Sequence, residues 1–291
     1  MIYIILCILV NTALILVFRL FPKFKIDSFQ AIVANYFVAA FLGFQIAPQA
    51  FGLRLIMQQP WVFYAMILGM LFVSLFYLIS VTTIVFGVSV ASVANKMSIV
   101  IPVTLAVYLY NETLSYVQII GIALAMIAVV MVSFKKSDQS VKISASWHYL
   151  LPLILFFGCG SIDALISYLQ RNFTGAQMSS EFILSSAFMF AAIAGTFSFV
   201  SLLLMKKTIW HTKSIIVGLA LGIPNFFSMF LVMKSLESNY LNASTFFPVN
   251  NMSIVVLGTM ISIVAFKEQL SKLNVLGIML SVLSIILIAL I

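Results

Sequence analysis

Apolar runs of 18 or more residues recur from one end of this chain to the other. A run of that length, wound as a helix, matches a bilayer hydrocarbon core about 30 Å thick. Ten such windows lie between charged or Pro/Gly/Ser-rich breaks, at 1–18, 28–45, 60–81, 86–110, 116–133, 148–169, 180–204, 214–233, 241–266 and 273–291. In lipid each must be helical, because only helices and closed barrels satisfy every backbone group internally. Barrel strands alternate in polarity, and these solid apolar runs do not. The expected fold is therefore an all-α membrane protein with ten transmembrane helices and no separate soluble domain. The break between the third and fourth windows, around 81–87, is the least distinct. The first window has no charged leader and no small-residue cleavage site, so it reads as a span and not a signal peptide.

Composition agrees. Only 8% of the 291 residues are charged, against about 25% in soluble domains, so most of the surface is unsuited to water. The net charge of +8 raises the question of nucleic acid. The basic residues sit in the short connections between apolar runs, where membrane topology explains them, and nucleic acid is not an expected partner. Cys7 and Cys159 lie inside apolar segments. They offer neither a disulfide framework nor a metal-ligand cluster and read as packing residues.

The longest polar connection, 134–147, falls mid-chain and invites a search for an internal repeat. Asn95-Lys96 precedes MSIV at 97–100, and Asn250-Asn251 precedes MSIV at 252–255. Short loops follow, Asn111-Glu112-Thr113-Leu114-Ser115 and Lys267-Glu268-Gln269-Leu270-Ser271, leading to Gly121 and Gly277. A weaker echo links AAFLG at 39–43 to AAIAG at 191–195. Four features in matched order imply two homologous five-helix repeats, 1–133 and 148–291, joined by the 134–147 loop. Five is odd, so the second repeat starts on the opposite side of the membrane and runs inverted. Inverted repeats around a midplane site are the signature of secondary transporters, in which exchanging the two repeats' conformations gives alternating access.

Orientation follows from lysine and arginine. The odd-numbered connections hold Arg19, Lys23, Lys25, Lys135, Lys136, Lys142, Lys206, Lys207, Lys213, Lys267 and Lys272, and the even-numbered ones only Arg54, Arg171 and Lys234. The positive-inside rule then places both termini outside.

The stretch ASVANKMSIVIPV, then NETLS, then GIALAMIAVVMV, resembles the half-repeat ending of EamA-like members of the drug/metabolite transporter superfamily. NASTFFPVNNMSIVVLG followed by FKEQLSKLNVLGIML resembles the same element in the second half. The resemblance spans nearly the whole chain as ten helices in two repeats, and only these two blocks are specific. It implies export or exchange of amino acids, nucleotide precursors, sugars or drugs without ATP hydrolysis. It also implies a cavity formed mainly by the first, third and fourth helices of each half, with the fifth peripheral. Several relatives of this type keep both termini in the cytoplasm, and the lysine distribution here departs from that habit.

Lys96 is the sharpest single residue. A charge at helix centre costs roughly 2.5–3.5 kcal/mol on insertion scales, so it should face a cavity or a partner. Ser89, Ser92, Asn95, Ser98 and Pro102 recur beside it at helical spacing. The alternative is a structural ion pair or a lysine reaching interfacial water. Asp163 is the other central charge, with Gly160, Ser167 and Gln170 on its stripe. It is either the counter-ion of Lys96 or a proton or cation coupling site. Asn250 and Asn251 occupy the positions that Asn95 and Lys96 hold in the first half. Asn35, Asn225 and Asn242 are further intramembrane amides, which interhelical hydrogen bonds alone would also explain. Tyr36, Tyr77 and Tyr108 either line the cavity or pack as aromatics. Pro102, Pro224 and Pro248 fall within spans and kink them. Gly218 and Gly222 read as close helix packing. Ser115 with Gln118 reads as a capping box, and Glu112 and Glu268 as loop and helix-start residues, with a gating role as the alternative.

No phosphate loop, zinc-protease helix or serine elbow occurs in the sequence, so the chain is not expected to be an enzyme, and no cofactor or metal is expected. The function expected is a secondary active transporter, exporter or exchanger, of a small metabolite or drug-like solute across the inner membrane. Its partners are the small-molecule substrate and the lipid bilayer. A non-transport membrane protein on the same scaffold, lipid scramblase-like or sensory, is the alternative.

Overall fold

The computed structural model describes residues 2–102, 104–105, 115–133, 150–173, 178–237 and 243–289. Among these, regular structure is helical: α1 Ile2–Leu20, α2 Ser28–Ile46, α3 Leu53–Met57, α4 Val62–Phe86, α5 Val88–Met97, α6 Tyr116–Ser133, α7 Leu151–Phe173, α8 Ser180–Leu204, α9 Thr212–Glu237, α10 Ala243–Phe266 and α11 Lys272–Ala289. Among the described residues, six helices are long and apolar enough to cross a membrane: Ile2–Leu20, Ser28–Ile46, Val62–Phe86, Leu151–Leu169, Ser180–Leu204 and Thr212–Val232. That set is compatible with a multi-pass membrane protein. Shorter apolar helices, Val88–Pro102, Tyr116–Ala128, Asn250–Phe266 and Lys272–Leu287, occupy the remaining windows.

Serine and threonine do not interrupt the long helices, for a local reason. Thr12, Ser74, Ser161, Ser186 and Thr196 each donate to the carbonyl four residues back, at 2.7–2.9 Å. A hydroxyl folded onto its own helix presents little polarity to an apolar surrounding. Outward faces carry Phe63, Met70, Phe197, Val264 and Met279, all exposed. Such a surface suits hydrocarbon and not water.

The third window runs further than its hydropathy suggests. Helix α4 continues to Phe86 and hands directly to α5 through Gly87. With φ 95° and ψ 170°, Gly87 adopts a conformation essentially reserved for glycine. The chain turns there without any polar residue to mark it, and α5 opens at Val88 and ends at Met97. A second break follows at Ser98–Ile99. Helix α3, in the connection after α2, had no signal in hydropathy because five residues are too few to show a period.

The chain divides into two compact units, and the division falls within α4, α7 and α9. The first comprises Met1–Leu20, Leu78–Asp163 and Leu231–Ile291. In it α6 packs along α11, and α10 meets α1, α5 and α11. Ser284 of α11 donates to the Gly121 carbonyl of α6 at 2.7 Å. Val85, Phe86, Val90, Met97, Phe156 and Val255 lie in one core here. The second unit comprises Phe21–Tyr77 and Ala164–Phe230. Its α2 packs along α8, and a methyl on Gly43 or Gly195 would run into Ser185 or Val33 across that seam. Gly218 and Gly222 of α9 lie against the Ala31 and Asn35 backbone of α2, the close packing expected of this GxxxG pair.

Candidate functional site

In the first unit, α5 carries Asn95 and Lys96 one turn before the helix breaks. Both are half-buried. The break lets the Ser98 hydroxyl reach the Asn95 carbonyl at 2.5 Å and lie 3.4 Å from an Asp163 carboxylate oxygen of α7. Gly160, one turn earlier on α7, admits Ile101, so the two segments approach closely. The Lys96 ammonium interacts electrostatically with Asp163, Cys7 and Cys159. Asp163 is exposed as a residue, while its carboxylate is engaged by Ser98 and acted on by Lys96.

Asn250 of α10 is buried and accepts from the Cys7 thiol of α1 at 3.4 Å. Asn11, one turn along α1, donates to the Cys7 carbonyl at 2.9 Å and to its sulfur at 3.5 Å. Asn251 is buried beside Asn250. This unit thus holds Asn95, Lys96 and Asp163 around Ser98, and Asn250 with Cys7 and Asn11, Asn251 following in sequence. An ammonium, a carboxylate and several amides can bind a small polar solute or exchange a proton with it. Ser89 and Ser92 leave the Lys96 stripe. Ser89 meets Ser262 of α10 at 3.0 Å, and Ser92 lies against Gly258.

The remaining candidates belong to the second unit. Asn225 donates to Asn35 at 2.6 Å, and Asn35 donates to the Ile32 carbonyl at 2.6 Å, an amide bridge between α9 and α2. Tyr36 is buried among Phe72, Phe76 and Phe188, with ring centroids 5.9–6.4 Å away. Tyr77 is exposed and meets Phe29 edge-on at 5.6 Å. Tyr36 and Asn225 are thus placed as packing and bridging groups. Tyr108, Asn242, Glu112 and the side chain of Gln170 lie outside the described residues.

Sequence reasoning read Arg19 only as a topology residue and Glu268 as a loop and helix-start residue. Arg19 donates to the Ile84 carbonyl at 2.8 Å and the Thr83 carbonyl at 3.5 Å, the last carbonyls of α4. Glu268 is buried, its carboxylate against Gly87 at the start of α5. A cation thus sits at the C-terminal end of one helix and an anion at the N-terminal start of the next, each opposing the sign of the helix end. Together they fix the origin of the helix that bears Lys96. Cys7 and Asn11 did leave a trace in the sequence, a polar pair at i, i+4 on the first span.

Comparison with known protein families finds no match. A solved crystal structure of a protein superposes with a TM-score of 0.56 at 17% identity, covering 97% of this chain and 96% of its own, which is a likeness of fold. An uncharacterized protein of Haemophilus influenzae is 31% identical over 279 residues, 94% of this chain and 92% of that protein. Identity at that level along almost the whole of both chains is enough to conclude that this chain and the Haemophilus influenzae protein belong to one family.

Proposed function

We propose that the chain is a secondary carrier, an exporter or exchanger of a small polar or amphipathic metabolite, working by alternating access in the inner membrane. The observation that carries this reading is the Lys96–Asp163 pair, two charges on apolar helices that act on one another, with Ser98 between their helices. Charges are retained at such positions when they serve a solute or ion path.

The finer architecture belongs to the same proposal: ten spans in two inverted five-helix repeats, of the EamA-like type in the drug/metabolite transporter superfamily. Packing within the units supports it. The sequence-matched helices are α2 with α8, α5 with α10, and α6 with α11, and each packs on its match. A two-fold relation brings elements near its axis against their own mates. The contact of Cys7 on α1 with Asn250 on α10 also has a counterpart in that of Asp163 on α7 with Ser98 on α5. Both halves begin their last helix alike: Ser115 and Gln118 cap one another's backbone at 2.9–3.3 Å, and Ser271 and Asn274 do so at 3.1–3.2 Å.

Metabolite profiling of cells overexpressing the chain identifies the solute, and proteoliposome flux then tests the pair. Lys96→Met and Asp163→Asn should each lower flux at least tenfold (about 1.4 kcal/mol) with protein still in the membrane. The double variant should regain stability lost by a single and not flux. Near-normal flux in the double variant would show a purely structural pair and end the site assignment.

A further inference from the structure

One end of the second unit is built around lysines. The turn at 21–27, ahead of α2, and the turn at 205–211, ahead of α9, are tied together. Asp27 N–H donates to Ser214 at 2.9 Å, Gln30 donates to the Ile209 carbonyl at 2.8 Å and accepts from His211 N–H at 2.9 Å, and Lys213 donates to the Phe24 carbonyl at 3.0 Å. From this joined platform Lys23, Lys25, Lys206, Lys207 and Lys213 are all exposed. The carboxylate of these turns, Asp27, is taken up in capping α2, where it accepts from Gln30 N–H at 2.9 Å. Glu181, the other acid of the unit, opens α8, about 35 Å of helix away from Leu204.

Two of the lysines hold unusual backbone. Lys25 has φ 53° and Lys206 φ 56°. Each sits in the same helix-ending turn: Ile26 N–H bonds Phe21 and Lys25 N–H bonds Pro22, while Lys207 N–H bonds Leu202 and Lys206 N–H bonds Leu203, at 2.9–3.1 Å. Glycine takes this conformation without steric cost and lysine does not. A positive charge is kept at two matching positions where the backbone favours no side chain at all. The same turns expose Phe24, Ile209 and Trp210. Lys23 and Lys213 rest 5.9 and 5.8 Å from the Phe24 ring centroid. Exposed cations beside exposed aromatic and aliphatic side chains offer what a headgroup and its acyl chains require.

We propose that this face docks the headgroup of an anionic phospholipid, the lysines taking the phosphate oxygens while the acyl chains lie along Phe24, Ile209 and Trp210. The proposal rests on the chain being embedded in a bilayer, and not on its being a carrier. Lysines that serve only to orient the chain during insertion would show no lipid preference in the purified protein, which makes the two roles separable.

The test uses the full chain, purified in detergent and examined by native mass spectrometry with phosphatidylglycerol, phosphatidylcholine of the same acyl chains, or inorganic phosphate. Phosphatidylglycerol should be retained and phosphatidylcholine not. Lys23→Gln, Lys25→Gln, Lys206→Gln and Lys207→Gln combined should weaken retention about tenfold or more, and the four Lys→Arg changes should preserve it. Should the combined variant fail to fold, the two pairwise variants, one per turn, should each weaken retention several-fold. Equal retention of both lipids, wild-type retention by the glutamine variants, or displacement by millimolar inorganic phosphate would overturn the proposal. Recovery of the wild-type chain from the soluble fraction would instead end the bilayer reading on which it stands.

Discussion

Gly87 stands where α4 and α5 meet with no residue to spare, and its surroundings show what one missing methyl group allows. Its φ of 95° excludes ordinary side chains, and a Cβ there would run into the Glu268 carboxylate. Gly87→Ala should therefore destabilise the protein by about 1–3 kcal/mol, read as a lowered thermal midpoint in detergent. An unchanged midpoint would mean the break is not rigidly held. Little of this was legible in the sequence. Lys96 and Asp163 announced themselves because charge in an apolar run is expensive wherever it lies. Glu268 did not, because a glutamate in a loop is ordinary until its contact, some 180 positions earlier in the chain, is known. Asn225 and Tyr36 drew attention for their polarity and proved to bridge and to pack, since a buried amide or phenol satisfies itself with whatever helix is near.

At the scale of elements, hydropathy located every described helix except five-residue α3, because solid apolar runs in lipid have one solution for their backbone. It left the boundary between α4 and α5 indistinct because that boundary is set by the dihedral angles of Gly87 and not by polarity. Caps were better marked. The box at Ser115 and Gln118 formed as its spacing predicts, and Asp27 and Ser179 cap α2 and α8 by accepting from Gln30 N–H and Phe182 N–H. The α2–α9 seam depends on glycine: both Gly218 and Gly222 leave their neighbour's backbone no room for a methyl. Gly222→Leu should push the helices apart and break the Asn35–Asn225 bridge. We expect a loss of at least about 2 kcal/mol, or failure to accumulate, measured by unfolding in detergent and by membrane yield. Gly52→Leu, at an open position in the α2–α3 connection, serves as the control and should stay within about 0.5 kcal/mol of wild type.

For the whole molecule, the proposed topology makes a prediction that either outcome informs. With Cys7 and Cys159 replaced, a cysteine at Thr208 should be shielded from impermeant thiol reagents in intact cells, and one at Ala50 should be labelled. The reverse pattern would mean that the termini lie inside and that the lysine distribution does not set the orientation of this chain.

The amide bridge between α2 and α9 also has a consequence in time. Asn225 is 190 residues beyond Asn35, so at the usual rate of synthesis the first amide waits about 10–40 s for its partner. The Cys7–Asn250 contact spans 243 residues and the Ser284–Gly121 contact 163, so they too complete late. Throughout that interval the nascent chain holds several helices whose mates do not yet exist. Asn35 donates to the Ile32 carbonyl of its own helix, a bond that needs no later segment and gives the amide a local partner while it waits. Ribosome stalling or truncation ahead of residue 225 would leave α2 and its partners as an unclosed set, the state in which membrane quality-control proteases find their substrates.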